Sequence, residues 1–159
     1  MDNNFLRQRS LHGSPDSGKY FRYMAEFTGF CEDDAAAVRE TRFIVEKYLP
    51  KMIGEFYAHL LRYPPTRKYF IKNDGTIDRE YLQLRMHHQN NFWRRVANGV
   101  YDDDFASFVD YVGKAHTSRG ADERIYIPER YVIGMVGFVQ HAISEALHIE
   151  LHDINPDLE

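Results

Sequence analysis

Residues 105–120 read FASFVDYVGKAHTSRG, and the spacing within this stretch decides the fold. Phe105, Phe108, Val109, Val112 and His116 recur three and four positions apart, the period of one side of an α-helix. A histidine closes an otherwise apolar stripe, and the pattern stops at TSRG. Upstream, YDDDF (101–105) offers aspartates to cap this helix. Before it a long helix is expected from Ile77, with Leu82, Met86, Gln89, Trp93 and Val96 on one face and Asn98-Gly99 ending it. Downstream, TSRGADERIY (117–126) is a connection, and Pro128 is expected to open a last helix through residue 151.

The same period extends to the start of the chain. CEDDAAAVRETRFIVEKYL (31–49) reads as one helix with acids at its positive end. Pro50 is expected to break or kink it and to open the next helix, PKMIGEFYAHLLRY (50–63). PPTRKYF (64–70) gives a short helical turn and IKNDGT (71–76) a loop with strong turn chemistry. KYFRYMAEFTGF (19–30) reads as a short helix. Residues 1–19, rich in Asn, Ser, Gly and Pro, are expected to form a flexible arm. No alternating strand pattern or internal repeat occurs, so the fold class is all-α.

Bulk composition narrows the function. A chain of 159 residues suits one domain, which at this length buries roughly 70% of its unfolded surface. Twenty Lys and Arg against 24 Asp and Glu give a net charge of −4 with both signs scattered, so no nucleic-acid partner is expected. No uninterrupted apolar run approaches the ~20 residues of a membrane span, and MDNNFLRQRS lacks a signal-peptide core. With one cysteine, Cys31, an internal disulfide is excluded. These features set the expectation of a cytoplasmic protein without a membrane partner. Eleven Tyr, eleven Phe and one Trp build either a large aromatic core or a pocket for a flat, apolar ligand.

Three polar residues interrupt the apolar faces. Tyr57 lies among Ile53, Phe56, Leu60 and Leu61; Gln89 lies between Met86 and Trp93; His116 ends its stripe. Each alone fits an ordinary core, the hydroxyl, amide or ring finding a nearby carbonyl. Burying such groups unpaired costs ~1–3 kcal/mol each, so three in one small core call for a shared partner. A haem supplies one, because its iron accepts an imidazole nitrogen and its body demands an apolar cleft. The imidazole must then be neutral, with its second ring N–H on an acceptor. The last turn of a helix has spare carbonyls for that purpose. On the other side, Tyr57 and Gln89 are donors able to stabilise a polar ligand by ~0.5–1.5 kcal/mol per ordinary hydrogen bond.

At these residues the chain resembles the protoglobin and globin-coupled-sensor branch of the globin superfamily. EFYAHLLRYPPTRKYF (55–70), DGT (74–76) and REYL (79–82) resemble that family's B helix, C region and start of E. NFWRRVANGVYDDDFASFVDYVGKAH (91–116) resembles its E-to-F stretch with a VGxxH element, and IPERYVIGMVGF (127–138) the start of its G helix. The resemblance spans roughly residues 20–155 and implies a globin-like helical sandwich lacking a D helix. It implies haem b as cofactor and O2, CO or NO as ligand, with sensing as the wider role.

Position by position, the resemblance implies His116 as the iron ligand at the end of the element that Val112 opens, and Tyr57 as the tyrosine of the gas side. Phe56 and Phe70 take the places of aromatics packing on the haem, and Gln89 faces the gas side. Tyr131, Met135 and Phe138 line the haem from the G helix, while Arg85 and His88 lie near enough to reach a propionate. Members of this branch pair through their last two helices, which implies a homodimer. The resemblance also implies a further final helix beginning at DINPDLE (153–159), which sets the expectation of a fragment of a longer protein.

Other readings stay open at this point. A haem enzyme with peroxidase-like or NO and nitrite activity needs a distal acid–base group, which Tyr57 or a nearby histidine would supply. A haem-free globin-shaped interaction module is another. A non-haem metal site of His87, His88 and His116 fits poorly, because adjacent helical residues point about 100° apart. His141, His148 and His152 read as surface or dimer-face residues rather than as ligands.

Overall fold

A computed structural model describes residues 16–120, 122 and 125–154, the side chains of 153 and 154 excepted. The expected arm through residue 15 and the segment 155–159 lie outside them. By their contacts the residues group into two compact units. One comprises the chain through Val38 with Gly99–Ile127; the other comprises Arg39–Asn98 with the chain from Pro128 onward. Among the described residues the architecture is all-α, with a lone antiparallel bridge between Ile71 and Ile77.

In the first unit, α1 (Ser17–Thr28) starts within the stretch expected to be a flexible arm. Its end is set by Gly29 at φ 74°, where the Phe30 N–H donates to the Ala25 carbonyl at 2.9 Å. α2 (Glu32–Glu40) follows, its first turn carrying Glu32, Asp33 and Asp34. α6 (Asp103–Ala115) is capped by Asp102, whose carboxylate accepts the Phe105 N–H at 2.8 Å. α1 packs on α6 through Phe21 and Phe105, edge to face at 5.5 Å, and through an Arg22–Asp103 ion pair. Asp102→Ala removes that cap and is expected to cost ~1 kcal/mol, read as a lower midpoint in chemical denaturation.

In the second unit, α3 (Arg42–Arg62) packs against both α5 (Arg79–Ala97) and α7 (Glu129–Ile154). Its core gathers Leu49, Met52, Ile53 and Tyr57 of α3, Phe70, and Val139 of α7. Between α3 and α5 lie α4 (Pro64–Arg67), a 3-10 turn (Lys68–Phe70) and a tight turn with Gly75 at φ 83°. The Asp78 N–H returns to the Phe70 carbonyl at 2.8 Å, and the Asp78 carboxylate caps α5 by accepting the Tyr81 N–H at 3.1 Å.

Two expectations are corrected. The helix expected over 31–49 divides at Thr41, which sits at φ −90°, ψ 2° with the Ile44 N–H turned to its carbonyl. Pro50, in turn, neither ends nor begins a helix; α3 runs through it. Pro50 lies on the exposed side, where the carbonyl deprived of its donor reaches water, while Leu49, Met52 and Ile53 anchor both sides of the defect. The last helix starts at Glu129, one residue after Pro128. By length and composition alone its residues Glu129–His152 are long and apolar enough to cross a membrane, although no uninterrupted apolar run of that length occurs. That helix buries Val139 and Ala146 in the protein core.

Candidate functional site

The candidate residues divide between the units. Val112 and His116 belong to the first; Phe56, Tyr57, Phe70, Arg85, His88, Gln89, Tyr131, Met135 and Phe138 belong to the second.

His116 caps α6. In an uninterrupted helix its backbone N–H would bond to the carbonyl of Val112; here it turns to Gly113 at 3.2 Å. The ring takes over the vacated acceptor, with Nδ1 2.8 Å from the Val112 oxygen. A carbonyl only accepts, so Nδ1 carries the proton, and in the neutral ring Nε2 is the nitrogen with the lone pair. The His116 carbonyl accepts the Ile127 N–H at 2.9 Å, and the half-buried residue is thereby held by its ring and by both ends of its backbone.

The loop that follows folds tightly over the helix end. The Gly120 N–H donates to the Thr117 carbonyl at 3.0 Å, and a Cβ at Gly120 would lie 2.8 Å from the Cα of Ala115. The obstacle is backbone, which cannot swing aside. Gly120→Ala is therefore expected to lift the loop from His116 and to destabilise the protein by about 1 kcal/mol. A lower thermal midpoint with weakened protection of the His116 ring N–H in NMR exchange would register it; an unchanged ring signal would sever the loop from His116.

In the second unit the structure brings four candidates into one aromatic cluster. Tyr57 meets Phe56 at 5.3 Å and Phe70 at 5.7 Å between ring centroids, both edge to face. Phe56 meets Phe138 at 6.1 Å. Tyr57 is 8% exposed, and burial pushes its phenol above its usual pKa, with the charge of Arg85 acting weakly in the opposite sense. The hydroxyl is thus protonated, a donor, at any physiological pH. Tyr131 and Met135 are half-buried nearer the start of α7 and stand outside this cluster.

α5 carries the unsatisfied chemistry. Among the described residues, Arg85 Nε, His88 Nε2, Gln89 Oε1 and Trp93 Nε1 are buried polar atoms without a hydrogen-bond partner. Arg85, Gln89 and Trp93 are spaced by four and share a stripe; His88 flanks it. Leaving each such group unpaired costs ~1–3 kcal/mol, and native folds rarely collect four on one helix without a partner. Burial, with Arg85 and His87 adding, lowers the pKa of His88 and holds it neutral. The Arg85 guanidinium stacks 4.7 Å above the Tyr81 ring, which positions it on this side of α5. The spacing places Trp93 on the apolar face of this helix, and its position four residues after Gln89 is the signal that its indole N–H shares the stripe.

Comparison with known proteins adds a family and a relative. The sequence profile of the family described as Protoglobin matches residues 18–155. The chain is also 27% identical over 112 residues to the heme-based aerotactic transducer HemAT of Halobacterium salinarum. That similarity covers 69% of this chain and 22% of the transducer, so the chain corresponds to under a quarter of that protein's length.

Proposed function

Since the chain belongs to the protoglobin family, we propose that it is a haem-binding globin domain that takes up a diatomic gas reversibly and serves gas sensing. The observation that carries this reading is the ring of His116, whose Nδ1–H is committed to the Val112 carbonyl, which leaves Nε2 as the nitrogen open to a metal.

The residues suit haem b. His116 would hold the iron through Nε2. Arg85 and His88, whose buried nitrogens lack partners, would meet the propionates, a charge-assisted pairing in the case of Arg85. Phe56, Phe70 and Phe138 supply apolar edges that exclude water from the neighbourhood of Tyr57. When bound, the haem would supply an iron able to bind a small gas molecule reversibly. Tyr57, kept protonated by burial, and the Gln89 amide then offer hydrogen bonds to a ligand that gains electron density. The sensing role follows the name of the aerotactic transducer, to which this chain is similar.

Titration of the reduced, haem-loaded protein with O2, CO and NO tests the proposal. Saturable and reversible spectral changes with all three gases are expected, without sustained consumption of hydrogen peroxide or nitrite. Sustained turnover of either, with no reversible gas uptake, would replace the binding role by an enzymatic one.

A further inference from the structure

Along α7, His141, Glu145, His148 and His152 recur at i, i+4, i+7 and i+11. At about 100° per residue these four fall within roughly 60° of one another. They lie on the side of the helix away from Val139 and Ala146, which are buried in the core. The stripe faces solvent: the His141 and Glu145 side chains are 75% and 67% exposed, and His148 and His152 are exposed. None of the four is among the buried core residues or the candidate haem residues.

We propose that His148 and His152 form a chelating pair for a first-row divalent transition ion, Zn2+ or Cu2+, on the open face of α7. Histidines four apart on a helix present their ring nitrogens to a common ion, as in the HExxH pattern of zinc enzymes. Imidazole suits Zn2+, Cu2+ and Ni2+, with Cu2+ bound most tightly. Nitrogen–metal bonds of about 2.0–2.1 Å around a tetrahedral ion set two chelating rings about 5 Å apart. The His148 and His152 ring centroids are 5.7 Å apart at an interplanar angle of 69°, close to that spacing. Two protein ligands leave the remaining positions to water. Glu145, three residues before His148, stands in the spacing of a helical Glu-x-x-His pair and adds negative charge beside the ion. His141 is turned to Glu145, with its Nε2 3.7 Å from the carboxylate.

Isothermal titration of the haem-loaded chain with Zn2+ tests the site. One saturable equivalent is expected, with unchanged visible absorbance. His148→Ala and His152→Ala are each expected to weaken it at least tenfold, and His141→Ala to change it less than twofold. Both histidines are exposed, so circular dichroism should match the native chain in every variant. The absence of saturable binding by the native chain would overturn the proposal. So would equal affinity in all three variants, or a loss that follows His141 instead of His148 and His152.

Discussion

His116→Ala is expected to abolish stoichiometric haem uptake. The substitution removes the Nε2 donor and the ring's hydrogen bond to Val112, while the backbone bonds to Gly113 and Ile127 need no side chain. Alanine is tolerated at a helix end, so the apo protein should keep its helical content and lose little stability. Loss of the pigment is then a loss of the ligand and not of the fold. Free imidazole added to the variant should restore a coloured complex, because it supplies the same neutral nitrogen without the tether. His87→Ala, one face away on α5 and exposed, should load haem as the native chain does. Full, five-coordinate haem in His116→Ala without imidazole would assign the iron to another residue.

Tyr57→Phe is expected to speed O2 release about tenfold and to alter CO release less than twofold. The change deletes one oxygen and keeps a ring that packs edge to face on Phe56 and Phe70, so the cluster stays intact. O2 gains far more electron density than CO when bound, so a donor discriminates between them. A tenfold change corresponds to ~1.4 kcal/mol, the upper end of what an ordinary hydrogen bond contributes. Since burial keeps the phenol protonated well above neutrality, the native O2 release rate should be flat between about pH 6 and 9. Equal acceleration for both gases would make Tyr57 a packing residue.

The helices were legible wherever local chemistry marked them. Asp102 caps α6, Gly99 at φ 63° follows α5, and DGT makes its turn, each because a residue type meets a backbone need on its own. Thr41 was not legible: Glu-Thr-Arg contains no breaker residue, yet the backbone there leaves the helical ladder, with the Ile44 N–H turned to the Thr41 carbonyl. Pro50 misled for the complementary reason, since burial of Leu49, Met52 and Ile53 outweighs one missing hydrogen bond. For the candidate residues, periodicity singled out Tyr57, Gln89 and His116 as polar intruders. It did not show that Arg85, His88 and Trp93 also present unpaired buried atoms, because pairing is settled by the packed surroundings and not by the residue itself. Nor did it show that Gly120 leaves room for the backbone of Ala115.

The most direct measurement is a titration of the purified apo chain with haemin, followed through the Soret absorbance and the ferrous and CO-bound spectra. Saturation at one haem per chain, with a ferrous spectrum of histidine-ligated iron that shifts on adding CO, is the predicted result. A folded chain that stays colourless, or takes up haem without saturating, would contradict the account.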